Sequence, residues 1–314
     1  DDARQAYQKA LELYRAVDAR LGEANTLKAL GDLHLRNARL DDARQAYQKA
    51  LDLYRAVEDR LGEANTLKAL GDLHRRNARL DDARQAYQKA LDLYRAVEDR
   101  LGEANTLRAL GDLHRRNDRL DDARQAYQKA LDLYRAVEDR LGEANTLQGL
   151  GLQALGGQDA AGAFRQFVAT LALHGQIDSK LGQQAALGYA VRAAMALGET
   201  DRALLLAGAS LALGREIGDH FGQSITLQAL LGLFQQAQDI VGLVACVALY
   251  RAVLGQLGDA EQQAAMAELW QQLEADLPAE LMAAVAADPW GALQQALAQA
   301  RQRFGDGDPL VLGN

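Results

Sequence analysis

The chain has 314 residues, a formal net charge of −8, 49% apolar and 5% aromatic residues, three prolines and one cysteine. So few prolines leave long stretches free to be helical, and so few aromatics call for an Ala/Leu core of close-packed helices. The acidic balance excludes the basic footprint of a nucleic-acid binder, and the lone Cys246 excludes an internal disulfide and fits a reducing compartment.

No apolar run is read as long enough to span a bilayer, which takes about 18–20 residues, and no signal peptide is visible, so the expected location is cytoplasmic. The absence of an initiator Met and the start inside a repeat read as an excised fragment.

Residues 1–160 are four near-identical 40-residue units, the first starting in mid-repeat. Residues 41–80 and 81–120 differ only at Lys68/Arg108 and Ala78/Asp118. A fixed period of this length means a stacked solenoid, in which each unit buries its apolar face against its neighbours. Within one unit, Ala43, Ala46, Tyr47, Ala50, Leu51 and Tyr54 share one face of a first helix that should start at an Asp41 or Asp42 cap and end near Glu58–Arg60. Leu61, Ala64, Leu67, Leu70, Gly71 and Leu73 share a face of a second helix ending near Asn77, where Asn would tolerate a left-handed backbone. Gly71 in mid-helix predicts a close approach of the partner helix.

The pattern resembles the tetratricopeptide repeat. Leu27, Leu30, Gly31 and His34 match the large-x-x-Leu-Gly-x-x-Tyr segment of that family, and Ala43, Tyr47 and Ala50 match its small–aromatic–small triad. The departures are Leu27 for Trp, His34 for Tyr and Arg55 for a helix-ending Pro. The unit exceeds the usual length of about 34 residues, which should lengthen the helix or loop around Arg55–Leu61. The 40-residue form is similar to arrays in kinesin light chains, Pins-type adaptors and bacterial regulators. The resemblance implies an all-α, right-handed superhelix of about seven helix pairs with a C-terminal helical cap.

Residues 161–276 keep the period with drifting letters: Val191 and Leu231 stand where the mid-helix Gly was, so helices there should sit further apart. Residues 277–304 read as capping helices, with Asp288 as an N-cap and Pro289 in the first turn. Residues 305–314 carry a Gly/Asp/Pro breaker cluster and are expected to be a flexible tail.

No P-loop, His-Glu-x-x-His, dinucleotide fingerprint or paired Cys set is present, so no enzyme, cofactor or catalytic residue is expected. His34, His74 and His114 recur one unit apart, too far to share a zinc ion whose ligands lie about 2 Å away. They are read as packing, with no metal. His174 and His220 lie off that register and are assigned nothing. Cys246 and Trp270 take core positions, and Trp290 is either packing or an exposed contact.

By the resemblance, the second helices line a concave groove. The facing positions are Asn25, Lys28, Asp32, Leu35 and Arg36, then Asn65, Lys68, Asp72, Arg75 and Arg76, then Asn105, Arg108, Asp112, Arg115 and Arg116. The strip is net positive, suited to an acidic extended or helical peptide, with Asn65 and Asn105 for backbone contacts. Asp72 can only accept hydrogen bonds, and Lys68 stands at i, i+4 to pair with it. From Gln148 onward the strip turns uncharged.

The expected function is a protein-interaction scaffold with a protein or peptide partner. Two alternatives stand beside it: a sensor segment of a larger signalling ATPase, and a self-assembling module whose first helix leaves Ala3, Ala6, Tyr7, Ala10 and Leu11 uncovered.

Overall fold

A computed structural model describes residues 2–311. The chain divides into two compact units, one up to Gly149 and one from Leu150 onward. Every described element is an α-helix or a turn, as a Leu/Ala-rich chain almost without proline dictates.

The first unit holds α1 (Asp2–Ala16), α2 (Arg20–Arg36), α3 (Leu40–Ala56), α4 (Arg60–Arg76), α5 (Leu80–Ala96), α6 (Arg100–Arg116) and α7 (Leu120–Ala136). It ends inside α8 (Arg140–Gly156). The second unit continues with α9 (Ala160–Gln176), α10 (Lys180–Ala196), α11 (Thr200–Glu216), α12 (His220–Ala237), α13 (Ile240–Leu257), α14 (Ala260–Asp276), α15 (Ala279–Ala287) and α16 (Pro289–Phe304). Consecutive helices pack on one another from α1 to α7 in the first unit and from α9 to α14 in the second, the architecture that the repeat demands.

The connectors differ from the sequence expectation. The first helix of a unit stops at Ala56, and three residues, 57–59, lead to Arg60. Another three, 77–79, lead to Leu80, so both connectors are alike and the extra residues of the long repeat lie in 17-residue helices. The left-handed residue is not Asn77, whose φ is −90°, but Ala78 at +54°. Positive φ recurs every twenty residues from Asp18 to Gly258, through Ala, Glu, Asp, Gln and Gly alike.

The caps also differ. Arg39, not Asp41 or Asp42, occupies the N-cap of α3 and makes no side-chain cap bond. Asp41 and Asp42 lie in the first turn, where the helix dipole favours them, and Asp42 accepts from Arg39 Nε at 2.7 Å. In the first unit the side-chain cap belongs to α4 and α6, where Asp59 and Asp99 accept from the amides of Gly62 and Gly102 at 2.9 Å.

The first-helix stripe of Ala43, Ala46, Tyr47, Ala50, Leu51 and Tyr54 is buried throughout. A Cβ on Gly71 would stand 2.5 Å from the Tyr87 ring, so the close approach inferred for this glycine is by a side chain of the following helix. Tyr54 and Tyr94 pack likewise on Gly62 and Gly102. In α1, Ala3 and Ala6 are exposed, Tyr7 and Ala10 half-buried and Leu11 buried.

In the second unit α16 packs on α11 and α13, its Asp288 cap accepting from Gly291 N at 2.9 Å. Leu293, Ala296, Leu297 and Ala300 complete that unit's core. No apolar run was expected to be long enough to span a bilayer, yet α13, 18 residues with a mean hydropathy of 1.9, is long and apolar enough to cross a membrane. Its Val244, Ala245, Cys246, Val247 and Leu254 are buried in the core, which explains the apolar composition without a bilayer. After α16, Arg202 Nη2 donates to the Val311 carbonyl at 2.9 Å and Leu310 packs against the core. The last three residues of the expected tail, 312–314, lie outside the described residues.

Candidate functional site

In the first unit, α2, α4 and α6 together wall a hollow of about 410 Å³. It gathers Lys28, Asp32, Leu35, Asn65, Lys68, Asp72 and Asn105 from the anticipated strip. Arg75, Arg76, Arg108, Asp112, Arg115 and Arg116 do not line it. Tyr47, Tyr94 and Leu101 do, although periodicity places Tyr47 only on the buried face of its helix.

The strip is laced by phenol bonds. Asp72 Oδ1 accepts from the Tyr87 hydroxyl at 2.7 Å, and Asp72 Oδ2 accepts from Lys68 Nζ at 2.8 Å. The pattern repeats one unit earlier, where Asp32 accepts from Tyr47 at 2.7 Å and from Lys28 at 2.9 Å. It repeats one unit later, where Asp112 accepts from Tyr127 at 2.7 Å and lies 3.9 Å from Arg108 Nη1. An ionised carboxylate offers only acceptors, so it can hold a phenol and an ammonium at once. Burial, the nearby Asp72 charge and the bond itself push the Tyr87 hydroxyl far above its ordinary range.

Asn25, Asn65 and Asn105 accept through Oδ1 from the hydroxyls of Tyr54, Tyr94 and Tyr134 at 2.6, 2.8 and 2.8 Å. Each then keeps its two amide N–H donors, which bond to no described group. Sequence periodicity could not reveal these partners, because they lie 29 residues apart.

The arginines are placed unequally. Arg75 is half-buried, with Nη2 3.6 Å from Asp72 Oδ1. Burial opposes its charge, but Tyr87 and the carboxylates of Asp72 and Asp112 outweigh that and raise its pKa. Arg108 behaves in the same way, with Tyr134 and Asp112 outweighing its burial. Arg76 is exposed and donates from Nη1 to the Leu35 carbonyl at 3.0 Å, joining the ends of α4 and α2. Arg115 is half-buried and Arg116 exposed.

The histidines pack. His34, His74 and His114 are half-buried, and burial lowers each pKa. His174 has a clear register after all: it occupies the tyrosine position one unit after Tyr134 and lies against Gly182. Trp270 Nε1 donates to Glu274 at 2.7 Å, and the Arg215 guanidinium stacks 3.8 Å from the Trp290 ring centre. Among the described residues no three His, Cys, Asp or Glu side chains come together as metal ligands.

No curated protein sequence matches the chain significantly. Solved structures match it at low identity and therefore in fold alone. BtubC (BKLC) from P. vanneervenii has a TM-score of 0.63 at 16% identity, covering 69% of this chain and 90% of its own. A Rap protein complexed with Competence and Sporulation Factor has a TM-score of 0.56 at 17% identity, covering 90% and 77%. The STAND protein with a tetratricopeptide repeat sensor, PH0952 from Pyrococcus horikoshii, has a TM-score of 0.63 at 14% identity, covering 96% of this chain and 42% of its own. A family model described as tetratricopeptide repeat matches residues 1–56, 34–96, 62–136 and 102–174, together more than half of the chain. Such repeats generally mediate protein–protein interaction, and the fold is typically a non-catalytic scaffold. With the paired helices, the glycine–tyrosine contacts and this match in agreement, the chain belongs to the tetratricopeptide repeat family.

Proposed function

We propose that the first unit is a scaffold that holds an acidic extended peptide along α2, α4 and α6. The observation that carries the reading is the hollow lined by Asn65 and Asn105, whose amide donors are unspent while their oxygens are held by tyrosines. Fixed amide donors one repeat apart suit backbone carbonyls spaced a few residues apart along an extended chain. Lys68, Arg75 and Arg76 against the single Asp72 leave positive charge on this stretch, and Arg108, Arg115 and Arg116 against Asp112 do the same on the next. Because Asp72 binds Lys68, attraction falls chiefly to the arginines and acts over a range that salt screens. A cytoplasmic setting is part of this reading.

The test is selection from acidic, neutral and basic peptide libraries. Recovery of acidic sequences that is lost in an Asn65→Ala/Asn105→Ala variant supports the reading. Equal recovery from all three libraries, or no loss in the variant, rejects it.

A second reading, a sensor segment of a larger signalling ATPase, draws on the likeness to the repeat sensor of PH0952. A nucleotide-binding domain encoded in the same reading frame would favour it.

A further inference from the structure

The second unit has a hollow of its own, about 430 Å³, walled by α10, α11 and α12. At the forty-residue period it corresponds to the hollow of the first unit, but its chemistry differs. Asn65 and Asn105 become Ala185 and Ile225, so the amides that suit a peptide backbone are gone. Lys68, Asp72 and Tyr87, which close on one another, become Gly188, Arg192 and Ala207.

That exchange leaves one cation over. With no carboxylate or phenol at the corresponding positions, the exposed Arg192 forms no hydrogen bond or ion pair among the described residues. Most other polar groups of the lining are spent. Asp219 caps α12, accepting from Gly222 N at 3.1 Å, where the helix dipole favours its charge. Ser210 and Thr226 pair with each other at 3.2 Å, and Thr226 also donates to the Gly222 carbonyl at 2.9 Å. Gln184 turns its carboxamide out of the hollow, into the slot between Gly214 and Gly222, where it bonds to no described group. Tyr189, whose ring stacks on Phe167 at 5.3 Å, is uncharged.

The rest of the wall is hydrocarbon, from Leu181, Ala185, Phe221, Ile225 and Ala229. Leu181, Phe221 and Ile225 are 63%, 68% and 54% exposed, so three large apolar side chains face water beside one unpaired charge. A ligand gains by covering that apolar surface and gains again by placing an anion on the guanidinium, in a charge-assisted hydrogen bond. A hydrocarbon alone offers the first and a small anion only the second. An extended peptide has no fixed amide donors here against which to set its backbone, and the volume is that of a small-molecule site.

We propose that this hollow binds a small hydrophobic carboxylate, its hydrocarbon body against Leu181, Phe221 and Ile225 and its charge on Arg192. The site is separate from the Asn65–Asn105 hollow of the first unit and does not rest on the peptide reading.

The experiment uses the purified chain at low salt, where charge pairing is least screened. Ligand-observed NMR compares naphthoate with its neutral and cationic counterparts, naphthylmethanol and naphthylmethylamine, and with acetate. Naphthoate should bind about tenfold more tightly than the alcohol, as one charge-assisted bond allows, and acetate should not bind. Arg192→Glu should reverse the order, so that the amine binds best. Phe221→Ser/Ile225→Ser should weaken all three naphthyl probes about fivefold or more. The substituted side chains are exposed, and circular dichroism verifies each variant's fold. Should the serine variant not fold, the reversal in Arg192→Glu decides alone. Absence of naphthoate binding, equal binding of the alcohol, or an order that survives Arg192→Glu overturns the proposal.

Discussion

The Tyr87 hydroxyl donates to Asp72 Oδ1 at 2.7 Å, tying α5 back to the outer strip of α4. The ring of the same tyrosine fills the notch at Gly71, so one side chain serves the core through its ring and the groove through its oxygen. Removing only the oxygen separates the two roles. Tyr87→Phe is expected to lower stability by about 1.5–3 kcal/mol, as loss of a bond to a charged group does. Tyr94→Phe, which releases a neutral asparagine, should cost about 0.5–1.5 kcal/mol. Urea denaturation of each variant, with a Tyr87→Phe/Asp72→Asn double-mutant cycle, checks the order.

Gly71 and Gly232 are both helical, yet they should respond oppositely to alanine. Helix propensity alone favours Ala by about 0.8–1 kcal/mol at either site. At Gly71 the new methyl would meet the Tyr87 ring at 2.5 Å, and Gly71→Ala is expected to destabilise by about 1–3 kcal/mol. Around Gly232 nothing lies within 4 Å, and Gly232→Ala should stabilise by up to about 1 kcal/mol. Thermal melts decide both signs.

Ala78 holds φ at +54°, a region in which an L residue with a Cβ is strained. Ala78→Gly relieves that strain, and the added freedom of the unfolded chain offsets part of the gain. A net stabilisation of about 0.5–1 kcal/mol is expected from the denaturation midpoint. Asn77→Gly, at a φ of −90°, should not stabilise.

Stability should fall on both sides of neutrality. Burial first, with Arg79 and Arg44 assisting against Asp82, lowers the pKa of His74 below 6.5. The unfolded chain therefore takes up a proton before the folded chain does, so stability is full above pH 6.5 and declines as pH falls through the lowered folded value. His34, His114 and His174 act in the same direction. On the alkaline side, burial and the Asp59 and Asp32 charges push Tyr54 up to about 12 from 10.0. The unfolded phenol ionises first, so stability is full below pH 10.0 and is lost as pH rises towards about 12. Melts from pH 5 to 11 test the shape, and His74→Phe should flatten the acid limb.

What the sequence made legible follows from distance along the chain. The buried stripe from Ala43 to Tyr54 and the Lys68–Asp72 pair are neighbours on one helix, so periodicity exposes them. The capping role of Asp59 was hidden by its near-double, the Asp41–Asp42 pair, which has the composition of a cap one step inside the helix. The tyrosine hydroxyls reach partners 15 or 29 residues away, and no local pattern encodes that. Gln184 was the least visible, because its isolation arises from a glycine 30 residues downstream that vacates the space it enters.

The left-handed joints spaced every twenty residues from Asp18 to Gly258 make the backbone's phase finer than the forty-residue repeat of its letters. Excising residues 41–80 would join Leu40 to Asp81, the same Leu–Asp step that the intact chain has there, with α2 then leading into α5 as it now leads into α3. A gene that gains or loses whole forty-residue blocks in this stretch can thus change how far the array reaches without redesigning any seam. A twenty-residue slip would keep every joint but exchange the two helix types.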